Sequence, residues 1–196
     1  MPTFNQIKAI LSQKTVGIAG AGGLGSNCAV SLIRSGVGKL IVADYDRVSP
    51  ENLNRQFYFR KQSGMKKVDA LRENLQKICP GCLLQMHDTW VTKDNIELLF
   101  SVCDVVVEAF DEADQKSMLI EYMLTNLPDI PLVAASGMAG FGRTDQLKVV
   151  QSGNLYVCGD AQSEISEENP PLAPRVNIVA NMQADIVLQL LLKDVV

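Results

Sequence analysis

Residues 16–25 read Val-Gly-Ile-Ala-Gly-Ala-Gly-Gly-Leu-Gly. An apolar strand pattern runs straight into a turn with glycine at four of six positions, Gly20, Gly22, Gly23 and Gly25, and then into a helical pattern. Few folds accept that order. Gly20 permits the tight turn, Gly22 and Gly23 let the backbone come close to a phosphate, and Gly25 lets the helix pack on the strand. Exposed amides and the helix dipole at such a start favour anionic oxygens. The glycine pattern is weak by itself and gains its weight from the strand before it and the helix after it. Asp44 ends the next apolar strand, about twenty residues past the last glycine, where an acid accepts hydrogen bonds from ribose hydroxyls and disfavours a 2′-phosphate.

The same alternation continues along the chain. Period and turn signals predict helices over 4–11, 24–35, 65–79, 95–100 and 114–127, with strands over 15–19, 39–43, 83–86, 103–107 and 131–135. Strand and helix in turn imply a parallel sheet with right-handed crossovers. After Gly142 the texture changes. Segments 146–150 and 155–157 read as strands of a hairpin around Ser152-Gly153-Asn154. Residues 160–174 are acidic, polar and proline-bearing, a long exposed loop of the kind that is functional or mobile. A final helix over 175–192 points Ile178, Val179, Met182, Ile186, Leu190 and Leu191 inward. The expected fold is α/β, a Rossmann-like doubly wound, mainly parallel sheet with a short antiparallel C-terminal extension and a terminal helix. It forms one domain over 1–196, a nucleotide-binding core (1–143) followed by hairpin, crossover loop and helix (144–196).

Composition narrows the function classes. The chain has 196 residues, 47% of them hydrophobic, and a net charge of −4, which argues against a nucleic-acid partner. No apolar run approaches the ~20 residues that span a bilayer, and the first residues lack a signal peptide's apolar stretch. The cysteines, Cys28, Cys79, Cys82, Cys103 and Cys158, are odd in number and scattered, which suits reduced thiols in the cytoplasm. Cys79-Pro-Gly-Cys82 has the spacing of a metal or redox motif. A zinc site needs four ligands, however, and the chain has no second pair and one histidine, His87, so a helix end is the favoured reading. Trp90 and His87 carry no assigned chemistry.

Arg55 separates the nucleotide chemistries. Hydride transfer wants a flat apolar slot, whereas transfer at phosphorus needs cations, for which arginine's planar fork is suited. Asn52, Asn54 and Gln56 add polar groups beside it. Lys67, early in its helix, can reach back over the strand ends, with Lys66 as its solvated neighbour. Asp111 directly follows the third strand of the core, where ligands of open α/β sheets bind, and is placed for magnesium. Glu108, Glu112 and Asp114 are competing acids, each open to a helix-start role, and Asp46 could simply stabilise its turn.

With the glycine turn, Asp44, Asn52-Leu-Asn-Arg55-Gln56, Lys67, Asp111 and Ala173-Pro174 in this order, the chain resembles the ThiF/MoeB/HesA group, relatives of ubiquitin-activating enzymes. Its stretch 166–175 looks most like a compact form, ThiF family 2, whose members adenylylate the sulfur carrier protein ThiS. The resemblance implies ATP on Gly22, Gly23, Leu24 and Gly25, ribose on Asp44, and Asn52, Arg55 and Gln56 along the nucleotide. It also implies Lys67 at the phosphates and magnesium on Asp111, with Arg55, Lys67 and Asp111 catalytic. The implied reaction joins the C-terminal Gly-Gly carboxylate of a small ubiquitin-like sulfur carrier to AMP, releasing pyrophosphate, in thiamine thiazole synthesis. The implied assembly is a homodimer, free of nucleic acid and membrane. Longer relatives hold zinc on two cysteine pairs; here Cys158 keeps one cysteine at best, so no zinc is expected and Cys158 is not assigned to catalysis. The inserted N-terminal arginine of many relatives has no match in Met1-Pro-Thr-Phe-Asn-Gln.

Other readings stay open at this stage. The same chemistry could serve a molybdopterin-type carrier or tRNA. An NAD-dependent oxidoreductase would explain the glycine turn and Asp44 but leave Arg55, Lys67 and Asp111 idle. A non-catalytic partner-binding module would retain those three without need.

Overall fold

Apolar runs of four or five residues become the parallel strands of one sheet, because both of its faces are covered and each strand can be hydrophobic throughout. They are β1 (Thr15–Ala19), β2 (Lys39–Ala43), β3 (Leu83–His87), β4 (Val105–Glu108) and β5 (Leu132–Ala135). The hairpin strands β6 (Lys148–Ser152) and β7 (Leu155–Gly159) extend the same sheet, giving the order β3-β2-β1-β4-β5-β7-β6. All neighbours are parallel except β6 and β7. The computed structural model describes residues 2–193.

Side chains leave a strand alternately to its two faces, and the two core clusters follow that rule. Val16, Ile18, Leu40, Val42, Val105 and Val107 join α1 (Phe4–Leu11), α2 (Gly23–Ser35), α3 (Lys67–Ile78) and α6 (Ala173–Leu191) on one face. Ala19, Ile41, Ala43 and Val106 meet α4 (Ile96–Phe100) and α5 (Ala113–Asn126) on the other. Gly17 is needed on that second face, since a Cβ there would lie 2.7 Å from the Phe100 ring.

Several expectations shift. The strand over 146–150 lies at Lys148–Ser152, because residues 144–146 form a 3-10 turn, and the helix over 175–192 runs Ala173–Leu191. The helix over 65–79 starts only at Lys67, because Lys66 forms a β-bridge with Arg47 and the Lys67 N–H donates to Asp46 O. The strand over 103–107 moves to Val105–Glu108, because Cys103 still closes the turn after α4. In α6, Ile178 is exposed rather than inward. The buried stripe instead runs through Val176, Val179, Ala180, Ala184 and Val187, where small residues let α6 pack on α2. That stripe includes the buried polar Arg175 and Gln183; the Gln183 amide donates to Glu108 O (2.9 Å) and Val133 O (3.1 Å). Cys79-Pro-Gly-Cys82 does end α3, and all five cysteines are free thiols. Among the described residues no helix is long and apolar enough to cross a membrane.

Strand order reverses between β1 and β4, since β2 and β3 lie to one side of β1 and the remaining strands to the other. Such a switch point opens a crevice at the carboxyl ends of the strands. The turn there is tightly packed: a Cβ on Gly25 would lie 1.9 Å from Gly20 O. Backbone cannot yield that distance cheaply, so Gly25→Ala is expected to cost ~3 kcal/mol, a fall of roughly 6–12 °C in Tm. Gly81→Ala, where an added Cβ meets nothing within 4 Å, leaves Tm unchanged. Thermal unfolding of both variants checks the pair.

Candidate active site

A cavity of about 440 Å³ opens over the carboxyl ends of β1, β2, β4 and β5, within the size range of small-ligand sites. One part of its wall is the β1–α2 turn. Gly20 takes φ of +102°, and a Cβ there would meet Ala109 O at 2.7 Å, so the turn needs glycine on both counts. Gly22, Gly23 and Leu24 line the cavity. No side chain caps α2, which leaves its first amides for an anion. Gly25 lies outside the wall and serves as the packing contact described above.

The turn is held from several directions. Ala21 N–H donates to the Asp44 carboxylate (2.6 Å), and Ala21 O accepts from the Tyr58 hydroxyl (2.7 Å). Ser26 Oγ donates to Gly22 O (2.6 Å) and accepts from Phe57 N–H (3.0 Å). Asn27 Nδ2 donates to Gly23 O (2.7 Å) and Arg55 O (2.9 Å), fixing glycine turn and arginine together. Sequence reasoning passed over Ser26, Asn27 and Tyr58. Their helical or turn positions are uninformative until distant backbone is brought to them.

Asp44 lines the cavity from the end of β2, and its second oxygen accepts from Asp46 N–H (2.8 Å). Burial raises its carboxyl above the ordinary value, against the pull of Lys67 and these two amides. Lys67, the first residue of α3 and 5% exposed, reaches the wall and pairs with Asp46 at 2.6 Å. Asp46, ambiguous in the sequence, is therefore the lysine's partner. Lys66 turns to the surface and pairs with Asp88 at 2.5 Å.

Arg55 ends the 3-10 turn Pro50–Asn54 and borders the cavity. Its guanidinium donates to Asn54 Oδ1 (2.9 Å), and no carboxylate pairs with it among the described residues. Gln56 also lines the wall, buried, with an Oε1 that has no hydrogen-bond partner among the described residues. Asn52 lies outside the wall. What it supplies is a backbone carbonyl that accepts from Arg55 N–H (3.2 Å) and Gln56 N–H (3.0 Å), shaping the turn that carries both.

Across the cavity Asp111 is exposed at the rim and lines it together with Glu112. Glu108 is fully buried: it accepts from Phe110 N–H (2.7 Å) and from Lys116 Nζ (2.5 Å). Burial pushes its carboxyl up, and Lys116 pulls it down. Glu108 is thus a structural acid, and Asp114 lies outside the wall. Lys116 is a third cavity cation that the sequence reading left unmarked. Among the described residues no three His, Cys, Asp or Glu side chains gather into a metal cluster. Asp111 suits magnesium in the manner of phosphate-bound sites, which use one or two carboxylates and the substrate's own oxygens.

Trp90 and Tyr45 line the opposite end, their ring centroids 4.1 Å apart. Turned so that its nitrogen faces Val91 O (3.1 Å) and its oxygen faces Trp90 Nε1 (2.8 Å), the orientation that satisfies both partners, the Gln115 amide fastens the indole. His87 ends β3 outside the wall. The crossover loop closes the cavity with Ser163, Glu164, Ile165 and Pro171. Its start is pinned by Asp160, which accepts from Gln162 N–H (2.9 Å) and Ser163 N–H (2.8 Å) and pairs with buried Arg175 at 2.5 Å. Cys158 is buried outside the cavity, and burial followed by the charge of Asp185 raises its thiol to about 12. It is not poised as a nucleophile.

The cavity thus joins a glycine turn and uncapped helix amides to three cations, five acids and an aromatic pair. The family model of ThiF matches residues 5–195. The chain belongs to the ThiF family. Among relatives of this ThiF-family chain, the tRNA threonylcarbamoyladenosine dehydratase of Escherichia coli (strain K12) is 35% identical over 134 residues, 67% of this chain and 49% of that protein. The adenylyltransferase and sulfurtransferase MOCS3 of Culex quinquefasciatus is 34% identical over 151 residues, 76% of this chain and 33% of that one. The chain thus spans about half or less of these relatives' lengths. In structure it resembles the E. coli dehydratase TcdA solved in complex with ATP, with a TM-score of 0.87 at 21% identity over 96% of this chain and 90% of that one.

The Asp160 clasp gives the loop an acid limit. Burial raises the Asp160 carboxyl, but the hydrogen bonds of Ser163, Gln162 and Arg175 outweigh it and hold the group at about 2, below the ordinary 3.8. A carboxyl depressed on folding stabilises the protein above its unfolded value, and that stabilisation is lost as pH falls through the folded one. Wild type is therefore expected to be more stable than Asp160→Asn at neutral pH. The gap in Tm narrows between pH ~4 and pH ~2, as thermal melts across that range will read.

Proposed function

We propose that this ThiF-family chain adenylylates the C-terminal glycine carboxylate of a small ubiquitin-like sulfur carrier, releasing pyrophosphate. One observation carries the reading: an arginine without a carboxylate partner and an uncapped helix N-terminus share the cavity with a ribose-height acid. The free guanidinium and the uncapped amides suit phosphate oxygens, and they leave the aromatic pair Tyr45 and Trp90 for a base. In the proposed role the Gly22 and Gly23 backbone and the start of α2 hold phosphate oxygens, and Asp44 accepts from the ribose hydroxyls. Arg55 and Lys67 offset negative charge as it builds on the phosphates. Asp111 would hold magnesium arriving with the triphosphate, which would add Lewis-acid stabilisation there. The carrier carboxylate is already ionised near neutral pH, so it attacks the α-phosphorus without a general base, and alignment is the remaining requirement.

The compact ThiF-like stretch 166–175 favours a ThiS-type carrier and a place in thiazole synthesis, in a cytoplasmic homodimer. A second reading draws on the dehydratase relatives: the same activation of a carboxylate, here on a modified tRNA. The net charge of −4 weighs against it.

ATP–pyrophosphate exchange decides among these. Exchange is expected only when a carrier ending in Gly-Gly is added, and Arg55→Ala or Asp111→Ala should lower it by about 10²–10³-fold with Tm unchanged. Exchange supported by tRNA instead of a carrier would select the second reading. No exchange with thiamine-type carriers, molybdopterin-type carriers or tRNA would sink both, as would calorimetric preference for NAD over ATP with magnesium.

A further inference from the structure

The Cys79-Pro80-Gly81-Cys82 turn is left over by the proposed chemistry. It joins the end of α3 to the start of β3, at the amino end of the strands, whereas the cavity lies at their carboxyl ends. Cys82 N–H donates to Cys79 O at 3.3 Å, closing a four-residue turn. Such a turn brings its first and last Cα atoms within 7 Å, and a disulfide spans Cα separations of about 4.4–6.8 Å. Burial first, and then the neighbouring Cys79, raise the Cys82 thiol to about 11, which holds Cys82 back as the first nucleophile. The turn has room to adjust, since Pro80 and Gly81 are exposed and a Cβ on Gly81 would meet nothing within 4 Å.

Access singles out the same pair. Cys28, Cys103 and Cys158 are buried, while Cys79 and Cys82 are both partly exposed. A metal site is not completed there, because zinc takes four ligands and no third ligand-type side chain joins the pair among the described residues.

We propose that Cys79 and Cys82 form a reversible dithiol–disulfide site that reacts with small disulfides. The thiolate of Cys79 attacks a sulfur of glutathione disulfide, breaking that S–S bond and releasing one glutathione thiolate. The second cysteine then attacks the mixed disulfide, and the second glutathione leaves. The protein loses two electrons and two protons, and both appear on the two glutathione thiols. Closure adds a covalent link beside the existing hydrogen bond of the turn, so the cavity at the far end of the sheet stays as it is. The inference is independent of the proposed adenylylation.

The test uses the full chain, folded, incubated with glutathione disulfide, quenched with iodoacetamide and digested with trypsin. Cleavage after Lys77 and Lys93 places both sulfurs in one peptide, residues 78–93. In wild type that peptide should lose two hydrogens, carry no glutathione and resist alkylation, and dithiothreitol should restore alkylation of both sulfurs. Cys82→Ser should instead trap one glutathione on Cys79, and Cys79→Ser should trap one on Cys82 more slowly. Wild type that accumulates stable glutathione adducts would overturn the proposal. So would wild type that stays fully alkylatable while the single variants are modified, or single variants that no glutathione reaches in the folded protein.

Discussion

Most of the site hangs on one buried carboxylate. Asp44, at the end of β2, accepts from Ala21 N–H in the glycine turn and from Asp46 N–H in the following loop. Asp46 in turn holds Lys67, whose own N–H returns to the Asp46 carbonyl. Glycine turn, Asp44 and Lys67 are thus one connected body, though more than forty positions separate its ends in the chain. Desolvating Asp44 has a cost, visible in its raised carboxyl, and the two short amide bonds and nearby ammonium offset it. A binding site assembled this way is formed before any ligand arrives.

The helix and strand pattern was legible in the sequence almost to the residue where a single face or a single run decides the element. Thr15–Ala19, Lys39–Ala43 and Phe4–Leu11 stand where periodicity puts them. Boundaries moved where a distant contact intervenes, as when Arg47 takes Lys66 into a bridge and delays α3. The inward stripe of α6 was misjudged at Ile178 because hydrophobicity alone assigns every isoleucine to the core. Close packing on α2 selects small residues instead, and it brings polar Gln183 to serve two backbone carbonyls.

The candidate site divides along the same line. Residues whose own chemistry faces the cavity, such as Arg55, Lys67 and Asp111, could be picked out from type and order. Residues that work through another chain segment could not: Asn27 acts on Arg55 across 28 positions, and Tyr58 on Ala21 across 37. Trp90 gave no signal either, since its place in the cavity depends on Tyr45 from another crossover and on the Gln115 amide. Asn52 shows the reverse case, a polar side chain in a suggestive motif whose contribution is its main chain.

The Glu108–Lys116 pair has a consequence for how this protein can change over time. Glu108 is wholly enclosed and Lys116 is its cationic partner, so removing the lysine strands a carboxylate in the interior, at a cost of about 3–5 kcal/mol, whereas Lys116 itself borders the open cavity. Exchange of both for apolar residues of similar size can be neutral for folding, yet it would strip a cation from the cavity wall. Drift at these two positions is therefore epistatic: loss of Lys116 alone is blocked by stability, and the joint step that stability permits alters the electrostatics of the site. Fold and chemistry are inherited there as one unit.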